Sequence, residues 1–184
     1  MSKAKKTFLW MGIFVVVLAA AALGYSALSK NYSAEPAPSA GSSETREAAP
    51  DFTVLNEQGE EVTLSSYFGK PIILNFWATW CPNCREEMPD FQDIHELYGD
   101  RIHVLMINET DGARETQRKA REYIAEEGYT FPVLYDTTFE ATEIYAPRYI
   151  PTTVFIDAEG NVVHRQEGAM PTEVLGKWME ELLK

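Results

Sequence analysis

The chain has 184 residues, a length that suits one domain plus an appendage. Its 28 Asp and Glu outweigh 16 Lys and Arg to give a net charge of −12 at pH 7, and from residue 51 onward 25 acidic residues stand against 11 basic ones. So anionic a surface repels phosphate backbones and anionic lipid head groups, which argues against nucleic acid as a partner.

In chain order, Lys3, Lys5 and Lys6 precede "FLWMGIFVVVLAAAALGYSAL", residues 8–28, a run without a single charge. About 20 apolar residues span a bilayer as a helix, and a basic flank stays in the cytoplasm. The expectation is a cytoplasmic N-terminus over 1–7, a retained single-pass anchor in the cell membrane over 8–28, and everything beyond on the extracytoplasmic side. A cleaved signal peptide is the competing reading, but its apolar core is typically about 7–15 residues, shorter than this run. Residues 29–49 are rich in Ala, Ser, Pro and Glu and almost free of large apolar groups, so they read as a flexible tether averaging roughly 25 Å end to end.

The domain proper is expected over 50–184. Residues 51–66 alternate around Gly59 as a hairpin or short edge strands. "PIILNFW" (71–77) is a continuous apolar run, as a central strand covered on both faces requires. Cys84, Met88, Phe91, His95 and Tyr98 then recur at helical spacing, widened by Ile94 and Leu97. A second central strand is expected over 102–108, a polar helix over about 112–127 with Gly128 as its C-cap, a third strand over 131–136 and a short helix over about 138–146. "TTVFID" and "VVHRQ" flank the turn "AEGN", and the chain ends in a helix with Pro171 at its first position and Val174, Leu175, Trp178 and Leu182 on one face. The fold class is therefore α/β: a mixed sheet with helices on both faces.

Both cysteines lie in "WCPNCREEMP", residues 80–89, where the buried strand gives way to the amphipathic helix. A structural zinc site needs four ligands, and His95, His103 and His164 are scattered without paired spacing, so no metal is expected. A structural staple between residues three apart constrains the unfolded chain little. A redox couple explains more. At a helix N-terminus the partial positive charge favours the thiolate of Cys81, taken as the exposed member, while Cys84, one turn inside, is shielded and can resolve a mixed disulfide. Pro82 rigidifies the turn between them.

"NFWATWCPNCREEMP" resembles the active-site segment of the thioredoxin superfamily, and more narrowly that of the membrane-anchored TlpA/ResA-like thiol-disulfide oxidoreductases. The likeness runs over about residues 48–184. It rests on Trp80-Cys81-x-x-Cys84 with Pro89 five residues on, on Ile150-Pro151-Thr152 before the strand "TVFID", and on Gly168 between the last strand and helix. The resemblance implies a thioredoxin-like sheet with an N-terminal hairpin, a redox-active Cys81–Cys84 disulfide, and a cis Ile150–Pro151 bond facing it. Trp80, Pro82, Ile150 and Pro151 would contact substrate. Cytosolic thioredoxins carry a buried Asp six residues before the first cysteine. That position is Asn75 here, which cannot accept a proton, and Glu87 matches the glutamate that TlpA/ResA-like proteins keep near the site. The segment 108–136 resembles the insertion of this group. The Pro-Asn pair between the cysteines departs from the Glu-Pro of the group's namesake, and that dipeptide tunes the potential.

The implied activity is reduction of disulfides in exported proteins, with apocytochrome c the leading substrate, a membrane dithiol as electron donor, no cofactor, and a monomeric state. Sporulation proteins are an alternative substrate set. Two rivals of other classes are a peroxiredoxin-type peroxidase and a non-catalytic binding module. Against the first, Thr79 lies two residues before Cys81 rather than three, and against the second, both cysteines are present.

Overall fold

The computed structural model describes residues 46–145 and 147–184, together with Leu18. Apart from Leu18, the anchor expected over 8–28 lies outside the described residues, as does the tether up to residue 45. Among the described residues, no helix is long and apolar enough to cross a membrane.

The strand "IILNFW", β3 (Ile72–Trp77), is buried at every position. Its side chains alternate by the period of two: Ile72, Leu74 and Phe76 enter one core, Ile73 and Trp77 the other. β4 (His103–Asn108) and β5 (Val133–Tyr135) continue the sheet parallel to it, with Trp77 opposite Asn108 and Asn108 opposite Tyr135. The C-terminal ends of the three strands therefore finish level.

On the other side β6 (Thr152–Ile156) and β7 (Val162–Glu167) run antiparallel, with Phe76 opposite Thr152 and Ile72 opposite Ile156. β1 (Thr53–Leu55) pairs with β2 (Glu61–Thr63) and joins the far edge through β5. The seven strands stand in the order β2-β1-β5-β4-β3-β6-β7.

α1 (Pro82–Tyr98), α2 (Gln117–Glu127) and α4 (Thr172–Leu182) supply Met88, Phe91, Ile124, Leu175 and Met179 to the core with Ile73 and Trp77. α3 (Glu140–Tyr145) covers the opposite face, where Ala141 and Tyr145 pack with Phe52, Leu74 and Phe76. This is the α/β class expected, with helices on both faces of a mixed sheet.

Two boundaries differ from the sequence reading. α2 starts at Gln117 rather than near 112, because the Asp111 carboxylate accepts from the Ala113 and Glu115 N–H groups and holds the segment in a turn until Thr116 caps the helix. Gly128 does close α2 as a left-handed C-cap, with φ of 76°. Pro171 stands one residue before α4 rather than in its first turn. Upstream of the domain start expected at residue 50, Ala48 bridges Asn161, Ala49 N–H donates to Gly160 O, and Arg46 pairs with Asp157.

Candidate active site around Cys81 and Cys84

β3 delivers the chain to the end of the sheet, and a turn of four residues carries it into α1, with Cys81 N–H donating to Ala78 O. Cys81 is the N-cap of α1, and Pro82 occupies its first position, where a missing N–H costs nothing. The two sulfurs form a disulfide, with Cα atoms 5.3 Å apart. Cys84 N–H points at Cys81 Sγ at 3.2 Å. In the dithiol form the same donor, with the helix N-terminus behind it, would favour negative charge on Cys81.

The expected difference in exposure is not there. Cys81 is only 4% exposed and Cys84 1% exposed. The reason is the loop before β6: its Ile150–Pro151 bond is cis, and it sets Ile150 O 3.5 Å from Cys81 Sγ. What distinguishes the two sulfurs is the helix start and the N–H aimed at Cys81.

Glu87 lies one turn beyond Cys84 and is buried, not a solvated charge on the helix surface. Position 75 shares the β3 face of Ile73 and Trp77, on which α1 packs, and Asn75 Nδ2 donates to Glu87 Oε1 at 2.9 Å and to Thr153 Oγ1 at 3.0 Å. Met170 N–H donates to Glu87 Oε2 at 3.1 Å. Burial pushes the Glu87 carboxyl up to about 7 despite those two hydrogen bonds, with Asp90 adding to the rise. The acid of this site thus comes from α1, and the strand position supplies an amide that holds it.

Trp80 projects at the surface, 38% exposed, with the Arg114 guanidinium 3.9 Å from its ring centre. Trp80, Pro82, Ile150 and Pro151 all border the disulfide by sequence or by contact, so the expected site residues gather at one end of the sheet.

Sequence reasoning missed two features at this end. Glu115 is fully buried and accepts from Thr79 N–H, Thr79 Oγ1 and Asn108 Nδ2 at 3.2, 2.6 and 2.8 Å. Glu109, just past β4, is raised to about 7 by burial and by the neighbouring Asp136, whose Oδ2 is taken by Thr142. The signal for Glu115 was present in "DGARET": an Asp-Gly turn followed by a Thr cap leaves the intervening acid in a loop rather than on a helix face.

The chain belongs to the AhpC/TSA family, whose model matches residues 45–165, and a thioredoxin-like fold carrying a Cys-x-x-Cys disulfide makes it a thiol-disulfide oxidoreductase. Among its relatives, the thiol-disulfide oxidoreductase ResA of Geobacillus kaustophilus is 30% identical over 99% of this chain and 99% of that protein. Among solved structures, the exposed lipoprotein thioredoxin of Streptococcus pneumoniae is 32% identical with a TM-score of 0.63, covering 72% of this chain and 100% of that one. StoA of Bacillus subtilis is 27% identical with a TM-score of 0.60, covering 71% and 96% respectively.

Proposed function

We propose that the protein is a membrane-anchored reductant of disulfides in exported proteins, with the cysteines of apocytochrome c as its leading substrate during cytochrome c maturation. The observation that carries the reading is the Cys81 sulfur at the N-cap of α1 with the Cys84 N–H 3.2 Å away. Supporting it are the long uncharged run behind three lysines and the names of the relatives.

The cycle starts from the dithiol. The Cys81 thiolate attacks one sulfur of a substrate disulfide; that S–S bond breaks, and the departing substrate sulfur takes a proton. Cys84 then loses its proton and attacks Cys81 Sγ, which forms the Cys81–Cys84 disulfide and releases the second substrate sulfur as a thiol. The substrate gains two electrons and two protons, and the pair loses them. A membrane dithiol restores the reduced form. Glu87, with a carboxyl near 7, is suited to exchange the Cys84 proton at neutral pH. Trp80, Pro82, Ile150 and Pro151 form the contact surface for the substrate chain around the attacked disulfide.

Serine variants test the assignment. Cys84→Ser, expressed on its own N-terminal segment, should stall as a mixed disulfide visible on non-reducing gels, and mass spectrometry of the adduct names the partner. Cys81→Ser should trap almost nothing. Equal trapping by both variants would overturn the roles of the two cysteines, and turnover of peroxide in place of insulin disulfides would overturn the reaction class.

A further inference from the structure

From the contacts around Glu115 we infer that it is a positioning residue for the reaction: it sets the turn that presents Cys81, from a loop that belongs to β4 and α2. The inference rests on Cys81 being the attacking thiol.

Past Trp77 the chain leaves β3, so the Thr79 N–H has no strand neighbour to accept it. A buried N–H left unpaired is costly, and such groups are nearly always met by something. Here Glu115 Oε1 accepts it at 3.2 Å, while Oε2 accepts the Thr79 hydroxyl at 2.6 Å. A buried carboxylate needs more than one donor to be tolerated. The third comes from Asn108 Nδ2 at 2.8 Å, and Asn108 is itself oriented by the Thr110 hydroxyl, which donates to its Oδ1 at 2.7 Å.

Glu115 is in turn fixed from its own side, because its N–H donates to Asp111 Oδ1 and its carbonyl accepts from Gly112 N–H. The neighbouring Arg114 lies over Trp80 from outside. One loop therefore grips both residues that precede Cys81, Thr79 from within and Trp80 from without. The functional consequence is geometric: the turn decides whether Cys81 Sγ sits where the Cys84 N–H can stabilise its thiolate.

The test is alkylation by iodoacetamide of the full chain, reduced and freed of reductant, followed against pH. Glu115→Ala should move the midpoint of Cys81 alkylation upward and slow the reaction at neutral pH about fivefold, since a thiol without that donor ionises less readily. Glu115→Gln should overlay the parent: Oε1 keeps the Thr79 N–H and Asn108, and its amide can donate to the Thr79 hydroxyl once that hydrogen turns away. A Glu115→Ala curve that overlays the parent in protein with native circular dichroism would overturn the inference. So would Glu115→Gln shifting the curve as far as Glu115→Ala. Should Glu115→Ala not fold, Thr79→Val removes one of the three donors, and its curve must move in the same direction by less; no movement overturns the inference equally. Mass-spectrometric mapping of the first alkylated cysteine in the parent keeps the two questions apart, because first labelling at Cys84 would sink the assignment of the attacking thiol without bearing on what holds the turn.

Discussion

The Glu87 carboxyl is held at about 7 in the fold, against 4.5 as its ordinary value. Between those two values the folded state keeps a proton that the unfolded chain has released. Stability from this group is therefore fully present below about pH 4.5, declines as pH rises through 7, and is level above. At about 1.4 kcal/mol per pH unit, the loss across that window is on the order of 3 kcal/mol. Glu87→Gln cannot ionise, so its urea midpoint should improve relative to the parent between about pH 5 and about pH 8. The same variant should alter the pH profile of Cys81 reactivity; curves that overlay would leave Glu87 as a buried acid without a part in proton transfer. Glu109, also near 7, adds a slope of the same sign, so the difference between variant and parent is the quantity to read rather than the parent's curve alone. Sequence alone placed Glu87 beside the cysteines but not inside the protein, because an acid between Glu86 and Met88 carries no local mark of burial. Its partner Asn75 was noticed only for what it is not, an aspartate.

The strands and long helices were legible because their cause is local. β3 is an apolar run broken only by Asn75, α1 repeats its apolar groups at helical spacing, and Gly128 stops α2. What was not legible lies in loops whose shape is decided by distant partners. Residues 112–116 were expected within the helix over about 112–127, yet Asp111 and Glu115 spend their polar atoms on turn N–H groups and on Thr79, which is 36 residues from Glu115 in the chain. Likewise nothing in "EGN" announces that Gly160 lies against Phe68. A Cβ there would meet that ring at 2.7 Å, and the backbone φ of 85° already suits only glycine. Gly160→Ala should therefore cost on the order of 2 kcal/mol, seen as a lower urea midpoint with the slope unchanged. Because Gly160 O accepts from Ala49 N–H, the same variant should increase protease cleavage around residues 46–49.

At the scale of the whole molecule, the acidic domain and the basic N-terminal flank make opposite statements about the membrane, and topology is where they meet. If the proposed anchor holds, protease added to spheroplasts should remove the domain and leave a small membrane-embedded stub. A soluble mature form beginning near residue 30 in the host would refute it. Within the domain, the chain enters far from the cysteines. Ala48 pairs beside Asn161, in the turn that follows Ile156, whereas Thr152 at the other end of β6 stands opposite Phe76 next to the cysteines. Those two ends of β6 are about 13 Å apart at the usual strand rise. Within the domain, then, the first described residues and the disulfide stand at opposite ends of β6.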